Sequence, residues 1–184
     1  AAIVILTVFL PFEGGFSAIR TRRLTIHLLR GLGVVVANLA FYMGLASMPL
    51  AEATSIFFVS PLLITILSAL FLGEHVGIRR WIAVVGGLLG VVIIMRPGTE
   101  LFRFASILPL IAALAYAVVQ VSTRVVGKTE RASTMAIYIQ ATFIVVCSAV
   151  GLGIGDGRYM SGIDPSVDFL FRAWIVPPIG DLLL

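Results

Sequence analysis

The sequence is short of most of what soluble chemistry relies on. Its one cysteine, Cys147, excludes an intrachain disulfide and any thiolate metal cluster built from this chain alone. The two histidines, His27 and His75, come without the further ligands that metal-binding spacing requires, so no metal is expected. Charge is scarce as well: 12% of residues are charged, about half the roughly 25% of soluble domains. There is no nucleophile elbow, no pair of carboxylates within an apolar run and no histidine–acid cluster, so catalysis has no visible apparatus. The Gly151, Gly153, Gly155 run fits neither a dinucleotide fingerprint nor a P-loop and follows no strand, so no cofactor is expected. The isoelectric point near 9.8 would suit nucleic acid, but the basic residues sit in clusters between apolar runs without interleaved aromatics.

What the chain has is apolar length. Hydrophobic residues make up 60% of the 184, and the mean hydropathy is +1.12. Several long apolar runs alternate with short charged clusters, which implies an all-α, polytopic transmembrane helix bundle with the lipid bilayer as solvent. The run from Ala1 to Pro11 is too short to cross about 30 Å of hydrocarbon as a helix. It begins without Met or a basic segment, so it reads as the end of a longer helix in a fragment and not as a signal peptide. Spans are expected over Leu28–Met48, Leu50–Leu72, Trp81–Met95, Ala105–Val126 and Thr134–Ile154, with a new apolar run starting after Asp181. Arg30 would lie in the first turn of its span and snorkel to the headgroups, with His27 in the loop before it.

The stretch Pro49–Glu74 is the one around which the rest is organised. Taken as one continuous helix, it places Thr54, Phe58, Pro61, Thr65 and Ser68 on one stripe, with Leu63, Ile66 and Leu70 opposite. Pro61 in its middle frees a backbone carbonyl that lipid cannot satisfy, which favours a bundle with a polar cavity. A second stripe runs through Pro109, Tyr116, Gln120 and Thr123. Gly86 and Gly90 form a G-x-x-x-G pair that would admit a neighbouring helix.

Basic residues prefer the cytoplasmic side. Alternate loops hold Arg20, Arg22, Arg23, Arg30, Arg79, Arg80, Arg124, Lys128 and Arg131, against Arg96, Arg103, Arg158 and Arg172 in the other set, nine to four. The richer set is therefore expected in the cytoplasm and the protein in the cell's inner membrane.

The order RGLGVVVANLAFYMG, Pro49 with Ala51–Ala53, central Pro61, Leu72–Glu74, Arg79–Trp81 and Arg96–Gly98 resembles helices three to five of an EamA-type carrier of the drug/metabolite transporter superfamily. That resemblance implies a partial ten-helix carrier of two inverted repeats. Residues 1–95 would belong to the first repeat and 105–184 to the second. It also implies alternating access for a small organic metabolite or drug-like solute. A non-transporting membrane scaffold and a polytopic membrane enzyme are the competing classes.

Asn38, Tyr42, Phe58, Tyr116 and Gln120 are the candidate substrate-binding residues, because sites in such folds lie near the midplane at the repeat interface. Interhelical hydrogen bonding would explain the polar ones as well. Glu52 is a candidate proton or cation site, set against a plain role at a helix N-terminus. Oligomeric state leaves no mark in the sequence.

Overall fold

Backbone polar groups in hydrocarbon must be satisfied within the segment, and a chain this apolar meets that demand with helices. The computed structural model describes residues 21, 23–95, 104–160 and 162–173. Its elements in order are α1 (Leu24–Ser47), α2 (Leu50–Phe57), α3 (Ser60–Leu72), α4 (Ile78–Met95), a 3-10 turn (Phe104–Ser106), α5 (Ile107–Val126), α6 (Ala132–Ile154) and α7 (Pro165–Leu170). There is no strand among the described residues. Four stretches, Leu24–Ser47, Leu50–Leu72, Ile107–Val126 and Ala132–Ile154, are long and apolar enough to cross a membrane. The chain is a multi-pass helical membrane protein. Exposed Leu29, Ile82, Ile93, Val145 and Leu152 are accordingly surface meant for lipid.

The hub is α1 and not Pro49–Glu74. α1 packs most extensively on α5, then on α6 and α7, whereas α2 and α3 lie against α5 and α4. Helices in lipid gain little from hydrophobic expulsion, so close packing decides which of them meet, and small residues permit it. Gly31 faces Thr142 of α6 so closely that an added Cβ would stand 2.5 Å from that side chain. A Cβ at Gly44 would stand 2.9 Å from Pro109 of α5. The Gly86 and Gly90 pair, by contrast, meets nothing within 4 Å. The close approach on α4 is instead at Gly87, between the two, where an added Cβ would run into the Leu62 side chain of α3.

The expected continuous helix over Leu50–Leu72 is two helices. Pro49 caps α2, its carbonyl accepting from the amides of Glu52 (3.0 Å) and Ala53 (3.1 Å). Phe58 and Val59 then form a turn, and the Val59 carbonyl takes the amides of Leu62 (3.0 Å) and Leu63 (3.1 Å) to start α3. Pro61 lies in the first turn of α3, where a missing N–H costs no helical bond. The expected polar stripe does not face one environment: Phe58 and Pro61 are exposed while Ser68 is buried. The Thr54 and Thr65 hydroxyls donate back to their own helices, to the carbonyls of Leu50 (2.7 Å) and Pro61 (3.0 Å). The α5 stripe does face α1: Pro109 abuts Gly44, and Thr123 accepts from Arg30.

Arg30 and His27 also stand elsewhere than expected. Both lie inside α1 and are buried, so Arg30 does not snorkel and His27 is not in a loop. A core of Met48, Ala53, Ile56, Val59, Val91 and Ala113 joins α1, α2, α4 and α5 at the other end of α1.

Candidate functional site

Two cavities share one residue. The first, about 210 Å³, is lined by Ala37, Asn38 and Phe41 of α1, Phe57 of α2 and Tyr116 of α5. Three rings wall it: Phe57 stands edge-on to Phe41 at 5.3 Å between centroids and tilted to Tyr116 at 5.6 Å. The second, about 300 Å³, has Asn38 and Tyr42 on one side and Phe143, Cys147 and Phe169 on the other, with aliphatic side chains between. Tyr42 stacks with Phe169 of α7 at 6.4 Å. The short α7 is held in place by Asp164, whose carboxylate caps it by accepting from the Ser166 amide at 2.8 Å. The Ser166 hydroxyl in turn pairs with that of Ser47 at the end of α1.

Asn38 is the residue common to both chambers. Its amide donates one N–H to the Val34 carbonyl one turn back, at 2.9 Å. An amide has two donors and an acceptor, so this bond orients the group without exhausting it. On α5, the Gln120 amide donates to the Tyr116 phenol oxygen. That bond occupies the oxygen as acceptor and leaves the Tyr116 O–H to donate. Gln120 itself does not line the first cavity. Its link to that cavity is the bond to Tyr116.

The structure therefore brings Asn38 and Tyr116 together around one chamber, with Gln120 bonded to Tyr116 outside the lining, and Asn38 with Tyr42 around the other. It does not bring in Phe58, which is 74% exposed, or Glu52, half-buried in the first turn of α2 and outside both linings. Phe41 and Phe57 take the place expected of Phe58. Among the described residues the linings carry no carboxylate, imidazole or cation, and include the thiol of Cys147. Among the described residues no three His, Cys, Asp or Glu side chains stand together as a metal site would need. Aromatic faces with an amide and a phenol at the edge can hold a planar solute by stacking and hydrogen bonding.

Comparison with known proteins gives these chambers their context. The model of the EamA-like transporter family matches residues 1–96. A riboflavin transporter of Vibrio cholerae is 33% identical over 139 residues, covering 75% of this chain and 47% of that protein. A riboflavin transporter of Rhizobium johnstonii is 30% identical over 148 residues, 79% of this chain and 49% of its own length. An S-adenosylmethionine uptake transporter of Rickettsia bellii is 30% identical over 179 residues, 96% of this chain and 59% of its own. The chain spans about half the length of the riboflavin transporters it matches. No solved structure matches it. With more than half of its residues under the family model and helices arranged about an aromatic chamber, the chain belongs to the EamA-like transporter family.

Proposed function

We propose that this chain works in a carrier that moves a small heteroaromatic metabolite across the cell's inner membrane by alternating access. The observation that carries this reading is the chamber of Phe41, Phe57 and Tyr116 with the Asn38 amide at its edge. Riboflavin and S-adenosylmethionine, after which its relatives are named, both contain a flat, nitrogen-rich fused ring with hydrogen-bonding edges. Ring stacking on phenyl faces and an amide matched to ring nitrogens and carbonyls would recognise either. At about 210 Å³ the first chamber is smaller than the roughly 300–1,000 Å³ of sites for whole drug-sized ligands. It suits the ring system, and the second chamber across Asn38 suits the remainder of the solute. The linings offer binding groups and no acid–base pair, which favours transport over chemistry. Residues 1–95 and 105–184 would be parts of two inverted repeats that rock about this site.

The test is uptake of labelled riboflavin and S-adenosylmethionine by cells expressing the gene that encodes this chain, against empty vector. Saturable uptake of one of them, or its competition by another fused heteroaromatic, is expected. Asn38→Leu should lower uptake roughly 5- to 30-fold at normal abundance, the loss of about 1–2 kcal/mol when a buried partner goes unmet. Uptake no different from empty vector, with neither solute competing, would sink the reading.

Orientation is a separate expected outcome. In a Cys147→Ala background, a cysteine at Thr129, in the turn between α5 and α6, should be protected from an impermeant thiol reagent in intact cells. One at Tyr159, after α6, should react. The reverse pattern would invert the topology drawn from the nine-to-four basic bias.

A further inference from the structure

The junction of α1, α5 and α6 holds a cation that the transport chambers do not use. Arg30 is 3% exposed and His27 0% exposed, one turn apart on α1 and facing each other electrostatically. The Arg30 guanidinium donates from Nε (3.2 Å) and Nη2 (3.0 Å) to a single acceptor, the Thr123 hydroxyl. That hydroxyl donates onward to the Val119 carbonyl at 2.7 Å. Nη1 of Arg30 and both ring nitrogens of His27 are buried with no hydrogen-bond partner. Among the described residues no carboxylate stands within ion-pair distance of Arg30; the ion pairs are Arg124 with Glu74 and Arg158 with Asp156. Glu130 accepts from the Thr21 hydroxyl at 2.8 Å and makes no ion pair with the guanidinium among the described residues. Tyr138 covers the other side of His27, its ring stacked at 4.9 Å.

A buried, unpaired guanidinium is costly, so its charge requires an anion. The geometry specifies which kind. Thr123 occupies the Nε–Nη2 edge of the guanidinium, and the remaining Nη1–Nη2 edge presents two parallel N–H groups. That fork matches two oxygens of one oxyanion. His27 beside it offers a ring N–H to the same group. We infer that Arg30 and His27 form a buried oxyanion site, distinct from the two chambers, that takes a phosphate or carboxylate group. Arg30 lies six residues after Leu24, about 9 Å along the helix at roughly 1.5 Å per residue. At that depth the group can come from a soluble anion or from the phosphodiester of an anionic lipid.

The experiment measures thermal unfolding of the purified chain in nanodiscs. One arm replaces chloride by inorganic phosphate at constant ionic strength in phosphatidylcholine discs. The other replaces phosphatidylcholine by phosphatidylglycerol in chloride. A rise in Tm of roughly 3 °C or more at tenfold excess over Kd is expected in at least one arm. The first arm identifies a soluble anion and the second a lipid headgroup. The rise should vanish in Arg30→Gln and persist in Arg79→Gln, an exposed arginine at the start of α4. No rise in either arm, or an equal rise in Arg30→Gln, overturns the site. Should Arg30→Gln fail to fold, Arg30→Lys decides: it keeps the charge and loses the fork, so apparent affinity should fall at least fivefold. Unchanged affinity in Arg30→Lys would likewise overturn it.

Discussion

Gly31→Val is expected to cost the bundle at least about 2–3 kcal/mol and to reduce folded protein in the membrane severely. A Cβ at Gly31 would lie 2.5 Å from Cβ and Oγ1 of Thr142 and 2.8 Å from its Cγ2. Those atoms are the branched root of a side chain on a packed helix. Thr142 also donates its hydroxyl to the Tyr138 carbonyl at 2.8 Å, which fixes its rotamer. Neither helix can yield without separating, and overpacking of this kind typically costs 1–3 kcal/mol, occasionally more. Two comparisons make the result specific. Gly86→Val, where an added Cβ meets nothing, should lie within about 0.5 kcal/mol of the parent. Gly31→Ala combined with Thr142→Gly should recover most of the loss caused by Gly31→Ala alone, because the two sites share one gap. The readout is thermal unfolding in detergent together with membrane abundance. A neutral Gly31→Val would mean that α1 and α6 are not in contact there, and the hub role of α1 would fall with it.

The legible part of this fold was the part that composition and local pattern dictate. Apolar runs separated by charged clusters placed the helices to within a few residues, because hydrocarbon leaves the backbone no other way to satisfy itself. The α5 stripe was legible too, since seven-, four- and three-residue steps hold their phase along an uninterrupted helix. Partners were not. Arg30 near a helix end suits a headgroup in any one-dimensional reading, and the acceptor that keeps it inside, Thr123, is 93 residues away. The Gly86 and Gly90 pair satisfies a spacing rule, yet spacing does not say which helix arrives. Gly31 and Gly44, thirteen residues apart, match no short motif and still make close contacts, and on α4 the close contact falls on Gly87 between the pair. Asn38, Tyr116 and Gln120 stand out in the sequence because an amide or phenol inside an apolar run demands a partner whatever the topology. Phe58 lies outside both linings because a polar stripe in one dimension does not say which part of it meets a neighbouring helix and which part faces outward.

Phe57 and Phe58, neighbours that point about 100° apart around a helix, separate the two accounts of the substrate wall. Phe57 lines the first chamber between Phe41 and Tyr116, whereas Phe58 is 74% exposed in the turn before α3. Phe57→Leu keeps most of the apolar volume and removes the ring. It should raise the apparent Km for a heteroaromatic solute about tenfold, as expected when stacking on an aromatic face worth roughly 0.5–1.5 kcal/mol and part of its contact area are lost. Membrane abundance should change little, because Phe57 also packs on the apolar core and leucine can hold that contact. Phe58→Leu should change the Km less than twofold, since it exchanges one lipid-facing side chain for another. Uptake is measured over a range of solute concentrations and normalised to folded protein. Equal effects at the two positions would mean that Phe57 does not wall the chamber in preference to Phe58. A larger effect at Phe58 would move the substrate wall to the Thr54–Phe58 face.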